Sequence, residues 1–121
     1  MLSRIRQIAV AVADLEASKR FYGDQLGLEK VFEVPNLAFF DLDGIWLMLS
    51  AAGDAEPARP GSVLYFEVKD ITAAHADLRD RGVEFIDEPH RIADMGSYEL
   101  WMSFFKDPDG TVLAIRAEVP K

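Results

Sequence analysis

The chain has 121 residues, of which 50% are hydrophobic and 28% are charged, the balance of one ordinary globular domain. It has no cysteine, which excludes disulfides, thiolate nucleophiles and zinc–thiolate sites and is typical of a reducing cytoplasm. Its 13 basic and 21 acidic residues give a net charge of −8, which disfavours binding to nucleic acid, and no apolar run approaches the length of a membrane span. We therefore expect a cytoplasmic protein that binds neither nucleic acid nor membrane.

The first predicted elements are a strand and a helix. Residues 8–12 alternate larger aliphatic side chains with alanine, the period-2 pattern of a strand. Asp14 then stands where a helix N-cap belongs, Glu16 favours the first helical turn, and Gly27 suits the position that ends the helix. The side chains that repeat at helical spacing and predict its buried face are Leu15, Ser18, Phe21, Tyr22 and Leu26.

The same order of elements follows a second time. A strand is predicted at Lys30–Val34, and the Gly- and Pro-rich segment 53–61 is typical of a linker. Beyond it come a strand from Leu64, a helix capped by Asp70 or Thr72, and a strand at Val83–Ile86. The buried stripe of the second helix is predicted to contain Ile71, Ala74 and Leu78, and Gly82 ends it.

The chain is therefore an internal repeat of one β-α-β-β-β unit. Residues 8–32 and residues 64–86 repeat the same sequence pattern. The motif Asp107-Pro108-Asp109-Gly110 fits a type I turn that closes the last hairpin. The sequence predicts one domain with module one at 1–52, the linker at 53–61 and module two at 62–121. Neither sheet buries its face alone, so we expect the modules to pair within the chain and across a homodimer.

Two motifs resemble the vicinal oxygen chelate superfamily, which contains glyoxalases, bleomycin-resistance proteins and extradiol dioxygenases. They are V-x-D-L-E-x-S-x-x-F-Y at 12–22 and F-x-D-P-D-G at 105–110. The resemblance implies an α+β fold in which two tandem β-α-β-β-β modules form an open, cupped mixed sheet. It does not choose a function, because the family includes enzymes of several kinds and non-catalytic binding proteins.

The resemblance also implies where a metal ion would bind. Enzymes of the family hold a divalent metal with His, Glu or Gln side chains, one on the first strand and one on the last strand of each module. Those positions correspond here to Gln7, Met48, Val63 and Ala114. Only Gln7 offers a donor that suits a hard divalent ion, so we expect neither a metal ion nor another cofactor.

Strand alternation then assigns side chains to the two faces of the sheets. If the four metal positions face the cup, the helix-facing side chains are Ile8, Val10, Leu47, Leu49, Leu64, Phe66, Leu113 and Ile115, all of core type. The cup then receives Ala9, Ala11, Trp46, Met48, Ser50, Val63, Tyr65, Glu67, Val112, Ala114 and Arg116. This mixture predicts an apolar, aromatic-lined cavity for a small molecule.

Within that cavity we expect the aromatic residues Trp46, Tyr65 and Trp101 to stack on a flat or cationic group, with Met48 and Met102 beside them. The alternative is that some of them belong to the core or to the dimer interface. The predicted ligand-binding residues are Gln7, Trp46, Met48, Val63, Tyr65, Glu67, His90, Trp101 and Ala114, and no catalytic residue is assigned.

The two histidines and the remaining charged residues have more ordinary interpretations. We expect His75 on the surface of the second helix and His90 in a loop that spans residues 88–101, over the cavity mouth. His90 with Glu99 is a candidate for a displaced metal site. Glu67 and Arg116 are predicted to form an ion pair, to contact a polar substrate or, as is usual for long charged side chains at strand ends, to reach solvent.

The sequence thus leaves three hypotheses for function. The first is a metal-independent protein that binds a small aromatic or cationic molecule. The second is a metal-dependent lyase, epimerase or dioxygenase whose displaced metal uses Gln7 with His90 and Glu99. The third is a subunit or regulatory module with a vestigial cavity.

Overall fold

The chain divides into two compact units, Met1–Arg59 and Pro60–Lys121, in a computed structural model that describes residues 1–51 and 62–121. The first unit has the order β-α-β-β-β, and the second has the same order with its second strand divided in two. The predicted α+β fold class is therefore confirmed. The predicted linker, residues 53–61, lies outside the described residues. Within those two ranges, every helix is too short or too polar to span a bilayer.

The first unit is a four-stranded mixed sheet with one helix packed on it. Its elements are β1 (Gln7–Ala11), α1 (Leu15–Lys19) with a π-helical continuation (Arg20–Gln25), β2 (Glu29–Val34), β3 (Leu37–Leu42) and β4 (Ile45–Ser50). The strand order is β1-β4-β3-β2, with β1 parallel to β4 and the other neighbours antiparallel. β2 is therefore an edge strand.

Caps and turns set the limits of these elements, as the sequence predicts. Asp14 is the N-cap of α1, and its carboxylate accepts the N–H of Ala17 at 3.2 Å. Gly27 follows the helix with a φ of 79°. Asp43 and Gly44 both have positive φ, at 52° and 95°, which gives the two-residue β3–β4 loop the backbone twist that suits a tight hairpin.

The core of the first unit lies between α1 and the sheet. Its fully or nearly fully buried side chains are Phe21, Tyr22, Ala38, Phe40, Leu47 and Leu49. Ser18 of α1 is also fully buried, and its hydroxyl has no hydrogen-bond partner. The predicted helix-facing residues Leu47 and Leu49 are thus confirmed as core.

The second unit is a five-stranded sheet with a longer helix. Its elements are β5 (Leu64–Glu67), α2 (Ile71–Asp80), β6 (Glu84–Phe85), β7 (His90–Asp94), β8 (Tyr98–Lys106) and β9 (Val112–Pro120). The strand order is β5-β9-β8-β6, and β7 also pairs with β8. β5 runs parallel to β9, and the other pairs are antiparallel. Asp70, not Thr72, caps α2 by accepting the N–H of Ala73 at 3.0 Å.

The edge of this second sheet is interrupted at Asp87. The Asp87 carboxylate accepts the Phe104 N–H at 2.8 Å, and its backbone carbonyl accepts the Ser103 hydroxyl at 3.0 Å. Backbone pairing to β8 resumes at His90. The prediction of a loop at His90 was therefore wrong, because the residues after Pro89 return to the β8 ladder once Asp87 has bridged the gap.

The last hairpin turns at Asp107, as the sequence predicts. Gly110 N–H donates to the Asp107 carbonyl at 3.0 Å, which is the bond of a β-turn. The Asp107 carboxylate accepts the N–H groups of Asp109 and Thr111, each at 2.9 Å. A buried aspartate thus satisfies the donors of the turn, which explains why the motif needs this residue type at its first position.

His75 is buried, with 5% of its surface exposed, so the prediction of a surface position was wrong. It lies four residues after Ile71 and therefore one helical turn along the same buried face. Its ring packs against Phe85, with centroids 4.3 Å apart. Nε2 has no hydrogen-bond partner and lies 3.7 Å from the exposed Glu88 carboxylate. The imidazole serves here as an aromatic core side chain.

Candidate functional site

One face of the first sheet carries the predicted site residues of module one. Strand register places Trp46 beside Gln7 and Asp41, and Met48 beside Ala9 and Phe39. Side chains paired in register share a face, so the faces predicted for β1 and β4 are confirmed. We call this surface the aromatic face. Its strand residues are Gln7, Ala9, Ala11, Glu29, Phe32, Val34, Leu37, Phe39, Asp41, Trp46, Met48 and Ser50.

Three rings form the centre of the aromatic face. Phe32 and Phe39 stack at 4.4 Å between centroids with an interplanar angle of 13°. Trp46 meets both edge-on, at 5.4 Å from Phe32 and 5.6 Å from Phe39. Phe32 is 40% exposed and Trp46 is 36% exposed. The cluster is therefore an ordered apolar surface that remains open to a flat ligand.

Sequence reasoning found Trp46 but missed Phe32 and Phe39. A β-bulge between Lys30 and Phe32 breaks the alternation of β2, so the face of Phe32 cannot be read by counting along the strand. Phe39 precedes a second phenylalanine, Phe40, and the pair looks like continuous core. The register with Met48 would have placed Phe39 correctly.

Gln7 and Met48 contact each other beside the rings. The Gln7 Nε2 amide donates to the Met48 Sδ at 3.8 Å. This is a weak hydrogen bond, because a thioether is a poor acceptor. It places the amide on the aromatic face, where its oxygen is available as an acceptor for a ligand.

In the second unit, Tyr65 and Ala114 are register partners on β5 and β9. Phe104 pairs with Ala114 from the other side, and its ring meets Tyr65 edge-on at 6.1 Å. Tyr65 is 49% exposed, whereas Ala114 is fully buried. Val63 precedes β5 and is half-buried. This face thus brings together an exposed phenol and two apolar side chains.

The charged residues of that face do not form the ion pair that was one of the predicted alternatives. Glu67 and Arg116 are register partners, but the Arg116 guanidinium donates to Glu118 at 3.3 Å. Glu67 is exposed. The alternative prediction, in which these long side chains reach solvent, describes Glu67 well.

Trp101 lies on the opposite face of the second sheet. Its register partners are Ala117 and Arg91, one position out of phase with Met102 and Arg116. The indole N–H donates to the Glu99 carboxylate at 3.1 Å, and Arg91 donates to the other oxygen at 3.2 Å. These two bonds hold the pKa of Glu99 below its usual range, with Trp101 as the larger cause. The structure therefore does not bring Trp101 together with Tyr65.

His90 and Glu99 do not converge either. His90 pairs with Met102, whereas Glu99 is three residues away on β8 and has the opposite parity. The His90 Nδ1 lies 2.9 Å from the Glu88 carbonyl. Across residues 1–51 and 62–121, no three His, Asp or Glu side chains are grouped closely enough to hold a metal ion. The predicted displaced site of His90 with Glu99 is contradicted by this geometry.

The four positions at which the family binds its metal do not fit a divalent ion here. Gln7 supplies one amide group, which contacts the Met48 thioether. Val63 and Ala114 have aliphatic side chains, and Ala114 is fully buried. A hard divalent ion needs several oxygen or imidazole donors. We therefore derive no chemistry through such a metal.

A groove of about 250 Å³ lies on the helix side of the first unit, between α1 and β2. Three of its five charged lining residues, Glu16, Lys19 and Lys30, form ion pairs. Lys19 bonds Glu16 at 2.9 Å and Glu33 at 2.8 Å, and Lys30 also bonds Glu33 at 2.8 Å. The groove thus joins the helix to the edge strand and offers a ligand few free groups.

Comparison with known proteins identifies the family. A family model described as "Glyoxalase/Bleomycin resistance protein/Dioxygenase superfamily" matches residues 4–115. The chain therefore belongs to this superfamily, as the two sequence motifs indicate.

The relatives and structural neighbours agree with this assignment. The chain is 25% identical to "Uncharacterized protein YetH" of Bacillus subtilis (strain 168), over 96% of this chain and 99% of that protein. A superfamily member from Sphaerobacter thermophilus DSM 20745 is similar in structure, with a TM-score of 0.78 and 27% identity over 97% of this chain and 98% of that chain. A lactoylglutathione lyase from Agrobacterium tumefaciens has a TM-score of 0.75 and 24% identity, covering 97% and 95% of the two chains, and shows the fold alone.

Proposed function

We propose that this protein binds a small molecule with a flat aromatic body on the aromatic face of its first unit, without a metal ion. The observation that carries the proposal is the exposed ring cluster of Trp46 and Phe32 on Phe39. Exposed rings that are already held in place lose little conformational entropy when a ligand stacks on them. Superfamily membership supports a small molecule as the ligand, and the donor set at Gln7, Val63 and Ala114 supports binding without a metal.

The polar partner of such a ligand is Gln7. Its amide is anchored by Met48 at 3.8 Å, which directs a hydrogen-bonding group to the edge of the ring cluster. A pocket that is mostly apolar with few polar groups uses those groups to orient its ligand.

We also propose that the protein works in the cytoplasm and as a homodimer. The absence of cysteine is compatible with the first statement. The second is compatible with the exposed apolar side chains that lie outside the aromatic face, among them Val31, Ile86 and Ile92. Light scattering coupled to size exclusion tests the dimer, and a monomer at all concentrations would contradict it.

The first experiment is a thermal-shift screen of flat aromatic compounds against untagged protein, because a ligand that prefers the folded state raises the unfolding midpoint. We expect hits whose binding survives treatment with EDTA, and elemental analysis with far less than one metal ion per chain. Stoichiometric metal together with binding that chelation abolishes would overturn the metal-independent proposal.

The matched variants are Trp46→Ala and Trp101→Ala. Loss of a stacking ring from Trp46 should weaken binding of a hit by about tenfold or more. Trp101→Ala should leave the affinity unchanged, because Trp101 lies in the other unit on the face away from Tyr65. Equal losses in both variants, or a loss only in Trp101→Ala, would contradict the proposed site.

A further inference from the structure

One end of the aromatic face is acidic and the other end is apolar. Strand register divides it into rows that cross all four strands. The first row is Gln7, Trp46, Asp41 and Glu29; the second is Ala9, Met48, Phe39 and Phe32; and the third is Ala11, Ser50, Leu37 and Val34. Both carboxylates of the face therefore lie in one row, next to the ring cluster.

No basic side chain shares this face among the residues of β1 to β4. The lysine of β2, Lys30, is the register partner of Phe40 and points to the helix side, where it bonds Glu33. Glu29 is exposed, and Asp41 is half-buried with one carboxylate oxygen accepting the Gly44 N–H at 3.3 Å. The acidic row thus has one carboxylate bonded to a turn N–H and one that faces solvent, and no residue of β1 to β4 places a basic side chain on the same face.

Row spacing gives the complementary ligand a dimension. Residues two apart on a strand lie on the same face about 7 Å apart. A flat body stacked on the row of Phe32 and Phe39 therefore has the acidic row about 7 Å from its centre. Trp46 belongs to the acidic row and also touches both phenylalanine rings, so its indole connects the two parts of the surface. A ring face next to carboxylates favours a cation.

We propose that the ligand class is a flat aromatic molecule that carries a positive group about 7 Å from the centre of its rings. The aromatic body stacks on Phe32 and Trp46, and the positive group lies between the Trp46 indole and the carboxylates of Asp41 and Glu29. This inference rests on the proposed function and specifies its ligand. The net charge of −8 adds a general attraction for such a cation.

The test compares three naphthalene probes that differ only in the appended group, a trimethylammonioethyl, a hydroxyethyl or a carboxyethyl group, whose two-carbon chain is long enough to reach the acidic row. Affinities are measured by titration calorimetry at low ionic strength, where exposed charges interact most strongly. The cation should bind about three- to tenfold more tightly than the neutral probe, and the anion more weakly than both. Equal affinity for the cation and the neutral probe would overturn the inference.

The double variant Glu29→Gln/Asp41→Asn locates the effect. It should bring the ratio of cation to neutral affinity close to one while leaving the neutral probe unchanged. Glu33→Gln is the matched control, because it removes an acidic charge from the helix side of the same strand, β2, and should preserve the ratio. A ratio that persists in the double variant, or that collapses in Glu33→Gln, would contradict the acidic row.

Two further readouts keep the outcomes separate. If the double variant does not fold, a salt titration on the natural protein tests the same point. Added salt should weaken binding of the cationic probe and leave binding of the neutral probe unchanged. If none of the three probes binds, the proposed function itself fails for this ring system. If the neutral probe binds as well as the cation, the proposed function stands and only the ligand class is wrong.

Discussion

The two units secure the edge strands of their sheets by different means. In the first unit, β2 is tied to the helix by an exposed ion pair, in which Glu33 of β2 accepts from Lys19 of α1 at 2.8 Å. Lys30 of the same strand also donates to Glu33, at 2.8 Å. In the second unit, the break between β6 and β7 is closed by Asp87, which bonds the backbone and a side chain of β8. Partly buried hydrogen bonds to a carboxylate are worth more than exposed ion pairs. The repeat therefore conserves topology while the energetics of its edges differ.

The difference also explains why the first unit can present an open ring cluster. Its edge strand is held from the helix side, by the bond between Lys19 and Glu33, so the other face of β2 is left for Phe32. A β-bulge follows Lys30, and a second bulge follows Arg91 in β7. Bulges on edge strands discourage pairing with other strands. Both units thus protect their edges, and only the first adds an aromatic cluster beside the bulge.

The largest effect is expected from Asp87→Ala. The variant leaves the Phe104 N–H without its charged acceptor, which should lower the free energy of unfolding by about 2 kcal/mol. The Ser103 hydroxyl loses only its longer bond, at 3.3 Å to the carboxylate, and keeps the backbone carbonyl of residue 87 as its acceptor. Urea denaturation followed by circular dichroism measures this. Asp87→Asn keeps an oxygen acceptor and should lose less, and Glu84→Ala is a control on an exposed carboxylate of the neighbouring strand β6. An Asp87→Ala variant as stable as the control would contradict the claim that hydrogen bonds to Asp87 stabilise the edge of the second sheet.

The next largest changes in the free energy of unfolding are expected from two buried serines. Ser18 and Ser103 are both fully buried, but the Ser18 hydroxyl has no partner whereas the Ser103 hydroxyl bonds Asp87. Ser18→Ala should therefore raise the free energy of unfolding by about 1 kcal/mol, and Ser103→Ala should lower it by a similar amount. The same denaturation experiment applies, and a change of the same sign in both variants would contradict this assignment.

The smallest expected effect is the pH dependence of the stability that the Glu33 ion pairs give to β2, the edge strand of the first sheet. Hydrogen bonds from Lys19, and secondly from Lys30, lower the pKa of Glu33 to about 2 from the usual 4.5. Because the folded pKa is the lower one, the stabilisation by Glu33 is present above about pH 4.5 and is lost as the pH falls towards about 2. The difference in thermal midpoint between the natural protein and Glu33→Gln should shrink across that window. A difference that stays constant with pH would show that the ion pairs do not contribute.

Much of the fold could be predicted because its determinants are local. The caps Asp14 and Asp70, the terminating Gly27 and the Asp107 turn each act through backbone groups a few residues away. Such local motifs can be recognised in a single sequence. The motifs that include them also located the family correctly.

Two of the failures have a different cause, which is that a side chain replaces a regular backbone contact or a bulge breaks strand alternation. Asp87 bridges the divided strand from within a segment that looks like a loop, so the return of His90 to the sheet was not predictable. Because a bulge precedes Phe32, counting along β2 does not predict the side of the sheet on which its ring lies. Trp101 was assigned to the cavity by residue type, and only its register with Ala117 places it on the other face.

The central claim, that a flat ligand binds the aromatic face of the first unit, is tested most directly by one nuclear magnetic resonance titration. The chain has two tryptophans, Trp46 and Trp101, so the indole N–H region contains one signal from each site. On addition of the cationic naphthalene probe, we expect the Trp46 indole signal and the backbone amides of β1 and β4 to shift together. The Trp101 signal, whose N–H is bonded to Glu99, should stay in place. A shift confined to Trp101, or a titration that moves neither indole, would contradict the account.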